Sequence, residues 1–500
     1  MAAARILAID QGTTSSRALV VDELGAVLGI GQVAFRQYYP EPGRVEHDAD
    51  EIWTSTQEAI ATALAAASVT TSRLTAIGIT NQRETLVAWD RATGAPVAPA
   101  IVWQDRRTAP LCEDLRLAGH EETIAHHSGL TIDPYFTGTK LAWLLESQPS
   151  LRSMADSGGL AVGTVDSWLL WKLTGGAVHA TDFTNASRTM LFNIRRGRWD
   201  ETLCEILNVP SGILPRAAAS MTNFGYTDSD VLGARIPITG IAGDQQSALF
   251  GQACTRPGLA KNTYGTGAFV LAPAGREPRV SENRLLVSLG ANTGKTGPEY
   301  VVEGSVFVAG AAVQWLRDGL GIISTATESE ALAGSVADSG GVTFVPAFTG
   351  LGAPYWDPGA RGAMFGLNRG TTSGHLARAT LEAIAMSSAD LIAAINRDLP
   401  QPVTELRVDG GASANNLLMQ MQADLAGIPV VRPTNIETTA LGAAYLAGIT
   451  AGVWESEEAV DGLWQPDRSF EPRIGDDERE EQMEVWHAAI RQVSGGRPGG

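Results

Sequence analysis

The stretch that decides the fold is Ile6–Val20, with the sequence ILAIDQGTTSSRALV. The apolar run Ile6–Ile9 predicts a buried strand that ends at Asp10. A second apolar run over Ala18–Val21 predicts the next strand, and Ala26–Gly31 continues as a third strand after a short turn. The chain is therefore predicted to open with a meander whose first turn carries an acid, a glycine and several hydroxyl groups.

The composition of that first turn suits phosphate binding. Gly12 allows the backbone to approach a ligand closely, and Arg17 could add positive charge near phosphate oxygens. Asp10 could hold Mg²⁺, because this ion needs few carboxylates and keeps several waters. The candidate donors to phosphate, through hydroxyls and backbone N–H groups, are Thr13, Thr14 and Ser15. An ordinary hairpin with a polar turn explains the same residues, so this stretch alone leaves both interpretations open.

Length and composition narrow the class of protein. A chain of 500 residues is too long for one core, so two domains are expected. The net charge of −18 disfavours nucleic acid and anionic membranes as partners. The sequence shows no signal-peptide pattern and no run of about 20 apolar residues, and its three cysteines are too sparse for a disulfide framework. These features predict a cytoplasmic protein with reduced thiols and no membrane insertion.

Two polar clusters interrupt or follow apolar strand patterns. Arg83 and Glu84 lie between the predicted strands Leu74–Thr80 and Thr85–Trp89, and Gln104–Arg107 follows the next short apolar run. Open α/β sheets place ligand groups at the ends of strands. A binding site is therefore favoured over a solvated ion pair for Arg83 and Glu84.

Asp244 lies at a glycine turn between an apolar run and a small-residue helix predicted over Ser247–Gly251. As a general base, its carboxylate would accept the proton of an attacking alcohol. As a helix N-cap, it would accept backbone N–H groups. The residues themselves favour neither role.

The pattern of strands and glycine turns restarts near residue 252. Thr263–Val270 places glycine and threonine between apolar runs, as Gly12–Thr14 does earlier. The predicted strand Leu406–Val408 leads through two glycines into a helix predicted over Asn415–Leu425, a geometry that can contact a nucleotide. These repeated patterns predict a weak internal duplication, with a phosphate loop in each half and a nucleotide bound between the halves.

Hydrophobic periodicity predicts the remaining long helices. They are Glu51–Ala67, Leu160–Leu173 with Trp168 and Trp171 in the core, Ala309–Leu320, His375–Ile395 and Thr438–Gly448. Near the end of the chain, a packed stripe is predicted from Met483, Trp486, Ile490 and Val493. The last six residues, 495–500, are predicted to be disordered.

Taken together, these segments resemble the FGGY family of carbohydrate kinases, in the family's order and from Ile6 to about Trp454. The matching motifs are Asp10–Arg17, Asn81–Thr85, Val102–Arg107, Tyr135–Lys140, Gly243–Gln246, Asn262–Gly267 and Gly362–Glu382. Each motif alone is weak, whereas so many in order are specific. Arg83 and Glu84 with Tyr135 resemble the members that phosphorylate glycerol.

The resemblance implies an α/β fold of two actin-like ATPase (ribonuclease H-like) domains with an interdomain cleft. The first domain, 1–251, would carry the polyol site, the first phosphate loop and the base, and the second, 252–494, would bind the nucleotide. The implied reaction is phosphorylation of glycerol by ATP with Mg²⁺, giving sn-glycerol 3-phosphate, the first committed step of glycerol catabolism. The implied assembly is a homodimer or homotetramer.

The resemblance also assigns roles residue by residue, with Asp244 as the base and Asp10 as the metal ligand. The groups that would hold glycerol are Arg83, Glu84, Trp103, Tyr135, Asp244, Gln245 and Phe269. Those that would bind the nucleotide are Thr13, Thr14, Ser15, Arg17, Thr266, Gly310, Gln314, Gly411 and Asn415. The residue types agree with a triol, because charged and phenolic groups can satisfy hydroxyls while aromatic rings cover the carbon chain.

Two alternatives remain open at this point. Another sugar or polyol kinase of the same family would act on a pentulose, a pentitol or gluconate, and a substrate panel would separate it. A non-catalytic actin-like ATPase module would have no use for a polyol pocket and would tolerate Asp244→Asn.

Overall fold

The computed structural model describes residues 4–292, 297 and 299–494. The predicted disordered tail, 495–500, lies outside these residues. The described part of the chain builds two large mixed sheets, one of six strands and one of seven, together with two-stranded ribbons and helices on the faces of the sheets.

In chain order the strands are β1 (Arg5–Gln11), β2 (Ser15–Asp22), β3 (Val27–Ala34), β4 (Glu46–His47), β5 (Ala76–Asn81), β6 (Val87–Asp90), β7 (Ala100–Ile101), β8 (Leu160–Gly163), β9 (Ala180–Asp182), β10 (Phe192–Asn193), β11 (Arg198–Trp199), β12 (Arg216–Ala218), β13 (Gly225–Tyr226), β14 (Pro237–Gly243), β15 (Leu259–Tyr264), β16 (Ala268–Gly275), β17 (Leu286–Leu289), β18 (Tyr300–Val306), β19 (Thr343–Val345), β20 (Ala363–Phe365), β21 (Glu405–Asp409), β22 (Val430–Pro433) and β23 (Pro466–Phe470).

The α-helices are α1 (Ala49–Ala67), α2 (Ala109–Leu117), α3 (Glu121–Ser128), α4 (Thr137–Ser147), α5 (Pro149–Asp156), α6 (Val165–Leu173), α7 (Phe183–Ala186), α8 (Glu201–Ile206), α9 (Ser229–Leu232), α10 (Asp244–Gly251), α11 (Gly310–Asp318), α12 (Glu328–Ala333), α13 (Ser373–Asp398), α14 (Asn416–Ala426), α15 (Thr438–Thr450), α16 (Glu457–Asp461) and α17 (Asp476–Val493). Short 3₁₀ turns span Thr71–Arg73, Ser211–Ile213 and Gly411–Ala414.

The two large sheets repeat one topology, which confirms the predicted internal duplication. The first has the order β3-β2-β1-β5-β14-β13, and the second has the order β18-β16-β15-β21-β22-β23, with β17 added beside β18. In each sheet, three strands form an antiparallel meander, which is β1–β3 in the first sheet and β15, β16 and β18 in the second. Two further strands run parallel to β1 or to β15, and the strand at that edge is antiparallel. Because parallel strands end at the same edge, the residues that follow β1, β5 and β14 come together there.

Helices cover both faces of the first sheet. Helix α1 packs on β2 and β3, and α15 packs on β1, β5 and β14. Residues Ile6–Ile9 are consequently fully buried, and β1 appears in the sequence as a continuous apolar run rather than an alternating one. Since α15 comes late in the chain, its position also ties the second half of the chain to the first sheet.

Helices α10 and α15 cross with their backbones in contact. A Cβ atom at Gly251 would lie 2.0 Å from the carbonyl oxygen of Thr438, and one at Gly442 would lie 1.9 Å from that of Ser247. Real Cβ atoms do not approach that closely, so only glycine allows this crossing. The contact explains why both helices are rich in small residues.

The predicted helix over Leu160–Leu173 is wrong at its start. Leu160–Gly163 forms β8, which pairs with β6, and α6 begins only at Val165. Pairing with a distant strand overrides the local helical pattern here. Trp168 and Trp171 lie in the core as predicted, with both rings against Trp89.

Most other predicted elements are confirmed to within a few residues, including the opening meander. Cys112, Cys204 and Cys254 are buried free cysteines.

The last helix, α17, docks through its predicted apolar stripe and through one buried carboxylate. Trp486 and Ile490 are buried, and Met483 and Val493 pack against the same core. Asp390 of α13 accepts hydrogen bonds from Trp486 Nε1 at 2.7 Å, from the hydroxyl of Tyr355 at 2.5 Å and from His487 Nε2 at 2.6 Å.

We expect this contact to make the docking of α17 sensitive to pH. The hydrogen bond from His487 to Asp390 raises the pKa of His487 in the folded protein. The contribution to stability is therefore fully present below the unfolded histidine pKa of about 6.5, and it is lost as pH rises through the raised pKa. Thermal unfolding should show a larger Tm difference between wild type and His487→Gln at about pH 5.5 than at about pH 8.5.

The matched control is His126→Gln, which alters an exposed histidine and should give the same small Tm difference at both pH values. A Tm difference for His487→Gln that is equal at both pH values would contradict the assignment. The expected effect is modest, because the His487 side chain is 42% exposed and solvent screens the pair.

Candidate active site

The first turn of the meander is tight and presents polar groups beside an aromatic side chain. The Gly12 N–H donates to the carbonyl oxygen of Ser15 at 3.0 Å. Thr13 Oγ1 accepts a hydrogen bond from Trp103 Nε1 at 3.0 Å, and Thr14 is exposed. Arg17 forms an ion pair with Glu437, which directly precedes α15. The turn thus offers exposed donors and a nearby cation, as the phosphate interpretation requires.

Asp10 lies near the end of β1, opposite Thr80 of β5. The pKa of Asp10 is raised to about 7, chiefly by burial, and Asp244 and Glu437 add to the rise while Arg17 opposes it. A nearby cation stabilises the charged form of a carboxyl group that is buried among other carboxylates. The residues present therefore fit a Mg²⁺ ion at this point. In the described chain, His, Cys, Asp and Glu side chains form no group of three or more that could hold a metal, and Mg²⁺ commonly needs only one or two carboxylates plus phosphates.

Arg83 and Glu84 follow β5 and are almost completely buried. Arg83 donates to both carboxylate oxygens of Glu303, at 2.6 and 2.8 Å, and to Gln246 Oε1 at 3.0 Å. Glu84 has a φ angle of 60°, and its carboxylate accepts from Arg188 Nε at 2.6 Å. Left-handed backbone is uncommon for such a residue and marks a position held by its surroundings. The solvated ion pair considered from the sequence is therefore excluded.

Asp244 is the first residue of α10, and the N-cap position belongs to Gly243. The N-cap alternative for Asp244 is therefore wrong, although its Oδ1 does accept from the Gln245 N–H at 2.7 Å. The same oxygen lies 3.2 Å from Arg83 Nε, and the side chain is 28% exposed. Burial raises the pKa of Asp244, and Arg83 and Lys261 act against that rise. A fixed carboxylate that is still open on one side is suited to accept a proton.

Three aromatic rings from separate parts of the chain meet beside these groups. The Trp103 ring is edge-to-face with Tyr135 at 5.7 Å between centroids and with Phe269 at 6.3 Å. Phe269 belongs to β16 of the second sheet, so the wall of rings joins the two halves. Burial raises the pKa of Tyr135, which keeps its phenol neutral and able to donate.

The structure adds three charged residues that the sequence analysis missed. They are Arg188, Glu303 and Lys261, all of them buried. Lys261 donates to Gln245 Oε1 and, at 2.9 Å, to Thr263 Oγ1, and burial lowers its pKa to about 8. Glu303 and Lys261 are each the one charged residue of a mostly buried strand, and a lone charge in a buried strand requires a partner. That signal could have indicated both residues, whereas no local pattern indicates Arg188.

The predicted nucleotide residues of the second half lie at the ends of β15 and β21 and on nearby helices. The Thr266 carbonyl accepts from the N–H groups of Ala309 and Ala311, and the Gly310 N–H donates to Gly265 at 3.0 Å. A Cβ atom at Gly310 would lie 2.5 Å from the Gly265 carbonyl oxygen, so this close approach requires glycine.

The other residues assigned to the nucleotide occupy two neighbouring elements of the second half. Gly411 begins a 3₁₀ turn after β21, and Asn415 caps α14 by accepting from the Leu418 N–H at 2.9 Å. Gln314 is exposed on α11.

The predicted site residues therefore form a directly connected group and a more dispersed one. Contacts join the phosphate turn, the aromatic rings and the charged residues around Asp244, whereas Asp10 and Asp244 influence each other through their charges. The residues of the second half that are assigned to the nucleotide form a separate set of loop and helix-start positions.

Comparisons with known proteins match the chain to one family. Two family models match, described as the N-terminal domain and the C-terminal domain of the FGGY family of carbohydrate kinases, over residues 5–251 and 260–451. A glycerol kinase from Aromatoleum aromaticum is 58% identical over 491 residues, which is 98% of this chain and 99% of that protein. A glycerol kinase from Trichlorobacter lovleyi is 57% identical over 493 residues, with 98% and 99% covered.

A solved structure has the same fold. The crystal structure of Plasmodium falciparum glycerol kinase with ADP matches with a TM-score of 0.91 and 33% identity, and the match covers 98% of each chain. Separately, none of the helices in the described part of this chain combines the length and apolar character that a membrane span requires.

Proposed function

The chain belongs to the FGGY family of carbohydrate kinases, and on that premise we propose that it transfers the γ-phosphoryl group of ATP to glycerol. The products are sn-glycerol 3-phosphate and ADP. The fold is the two-domain actin-like ATPase architecture. The observation that carries the proposal is the open carboxylate of Asp244 beside a buried arginine and a wall of three rings, in a chain that matches glycerol kinases over nearly its full length.

The polyol site has groups for each part of a small triol. Arg83 can donate to hydroxyl oxygens, and Glu84 can accept from hydroxyl protons. The phenol of Tyr135 can do either, and the rings of Trp103 and Phe269 can cover the carbon chain. Lys261 holds the amide oxygen of Gln245, which leaves the amide N–H₂ of Gln245 to donate to the same ligand.

The chemistry needs one proton acceptor and a positioned phosphate. A glycerol hydroxyl oxygen attacks the γ-phosphorus, its O–H proton passes to an Asp244 carboxylate oxygen, and the bond to the ADP oxygen breaks. Arg83, at 3.2 Å from Asp244, keeps the carboxylate oriented. Most of the rate enhancement in phosphoryl transfer comes from positioning and charge neutralisation.

The phosphate groups are assigned to the first turn of the meander and to the matching part of the second half. Thr13, Thr14, Ser15 and Arg17 would hold phosphate oxygens, and Asp10 would hold Mg²⁺, which supplies charge neutralisation when bound. The residues of the second half assigned to the nucleotide are Thr266, Gly310, Gln314, Gly411 and Asn415.

We place the domain boundary between 251 and 252, because all strands of each large sheet lie on one side of it. Helix α15 is the exception, since it follows the boundary in the chain but packs on the first sheet. The proposal includes a cytoplasmic location, a homodimer or homotetramer, and a role at the first step of glycerol use.

A substrate panel tests the proposal. A coupled assay of ADP release, run with Mg²⁺ and ATP, should show turnover with glycerol that exceeds turnover with a pentulose, a pentitol or gluconate by at least about tenfold in kcat/KM. The physical reason is that a hydroxyl held by Arg83 or Glu84 must lie where these fixed side chains can reach it, and the extra hydroxyls of a longer sugar would be left without partners. Higher activity with a pentulose would transfer the assignment to another sugar kinase of the family, and ATP turnover indifferent to every acceptor would contradict a polyol kinase.

A further inference from the structure

The buried charges around Arg83 form a cluster that spans the two halves of the chain. Arg83 and Glu84 come from the loop after β5, Arg188 follows α7, and Glu303 lies on β18 of the second sheet. All four are at most 2% exposed. Glu303 receives two hydrogen bonds from Arg83 and lies 3.2 Å from Arg188 Nη2, while Arg188 Nε donates to Glu84 at 2.6 Å.

The cluster pairs two cations with two carboxylates, which offsets part of the cost of burying them. Burial opposes the charged form of Glu303, but Arg188 and Arg83 outweigh it and hold its pKa at about 2. The bidentate contact fixes the plane of the Arg83 guanidinium and leaves its Nε toward Asp244, 3.2 Å away. Arg188 in turn fixes Glu84 and lies over the ring of Tyr135, 5.4 Å from its centroid.

We infer that Glu303 and Arg188 are positioning residues for the polyol site. Glu303 orients Arg83 across the boundary between the two halves, and Arg188 orients Glu84 and Tyr135. Neither residue needs to touch the substrate, because each acts through a residue that is assigned to substrate binding. The inference rests on the proposed function, since it assigns a role in holding the same ligand.

Glu303 also explains how the polyol site depends on both halves of the chain. Arg83, Arg188 and Glu84 all belong to the first half, and without Glu303 these three cluster residues would carry one excess positive charge. The second half therefore completes the electrostatics of a site whose hydroxyl-binding groups come mainly from the first half.

The test is Glu303→Gln, which keeps the shape of the side chain and removes its charge. Arg83 is assigned to the substrate and also lies 3.2 Å from the Asp244 base, so its misplacement should raise the KM for glycerol by at least about tenfold and lower kcat as well. The KM for ATP should stay within about twofold. The matched control is Glu405→Gln, which breaks an ion pair with Arg407 at 2.8 Å on β21 of the same sheet and should leave both KM values unchanged.

A second variant covers the case in which Glu303→Gln does not fold. Arg188→Lys keeps the positive charge, but an ammonium group cannot hold Glu84 and Glu303 in the same fork geometry. We expect the KM for glycerol to rise at least about fivefold and the rise in Tm caused by added glycerol to shrink accordingly.

The outcomes separate the inference from the proposed function. Wild type that fails to phosphorylate glycerol would overturn the function. Wild type that is active, with folded Glu303→Gln or Arg188→Lys variants whose KM for glycerol stays within about twofold, would overturn the positioning role. Equal losses in kcat and in both KM values, together with a lowered Tm, would also overturn it, because a merely structural role has that signature.

Discussion

Replacing Asp244 by Asn is expected to lower kcat for glycerol phosphorylation by about 10³-fold, equivalent to about 4 kcal/mol of transition-state stabilisation. The amide keeps the size of the side chain and can still accept from the Gln245 N–H, but it cannot take the proton of the attacking hydroxyl. Glycerol is held mainly by Arg83, Glu84 and the ring wall, so the KM for glycerol should change little. A coupled assay of ADP release at saturating ATP measures both constants.

The control is Asp48→Asn, which changes another carboxylate at the start of a helix. Asp48 caps α1 by accepting from the N–H groups of Asp50 and Glu51, and asparagine caps equally well. This variant should keep wild-type kcat. If Asp244→Asn retained kcat within about tenfold of wild type, the base would have to be another group, or the chain would not act as a kinase.

The pH dependence of the rate provides an independent test of Asp244 as the base. Burial raises the pKa of Asp244 above its ordinary value, so the carboxylate becomes protonated, and inactive as a base, at a higher pH than a solvated aspartate would. The rate of wild type should therefore fall as pH drops through the raised pKa. The residual rate of Asp244→Asn should lack that acidic limb, which gives a second way to check the role.

Local signals account for the parts of the fold that sequence reasoning predicted. The meander from Ile6 to Gly31 is set by apolar runs of strand length and by turns that contain glycine, and these act over a few residues. The duplication was detectable because the same turn chemistry recurs at Thr263–Val270, and the sheet topology confirms it. The charged pair Arg83 and Glu84 stood out because it interrupts an apolar pattern at a strand end.

Contacts that are distant in sequence account for the parts that reasoning missed. Leu160–Gly163 becomes a strand because β6 pairs with it, and nothing in the segment itself specifies that partner. Glu303 meets Arg83 across 220 residues, and Arg188 meets Glu84 across 104. Ion pairs of this kind have no fixed spacing, so a single sequence offers at most the hint of an isolated charge in an apolar strand.

Replacing Gly442 by Val is expected to lower the free energy of unfolding by about 3 kcal/mol or more, and to remove most activity. The first side-chain atom would lie 1.9 Å from the carbonyl oxygen of Ser247, which is backbone of α10 and cannot move aside as a flexible side chain could. Helix α10 would have to shift away from α15. Urea unfolding measures the loss of stability, and kcat and KM for glycerol measure the effect on the site.

The loss of activity follows from which residues α10 carries. Its first two residues are Asp244 and Gln245, so a shift of the helix moves the base and a polyol-binding amide away from Arg83 and Lys261 on other elements. Gly212→Ala is the matched control, because no atom lies within 4 Å of a Cβ at that position, and it should change the urea midpoint little. Wild-type stability in Gly442→Val would contradict the backbone contact. Lost stability with an unchanged KM and kcat would show that α10 holds the base without support from α15, and the coupling between this crossing and the site would then be wrong.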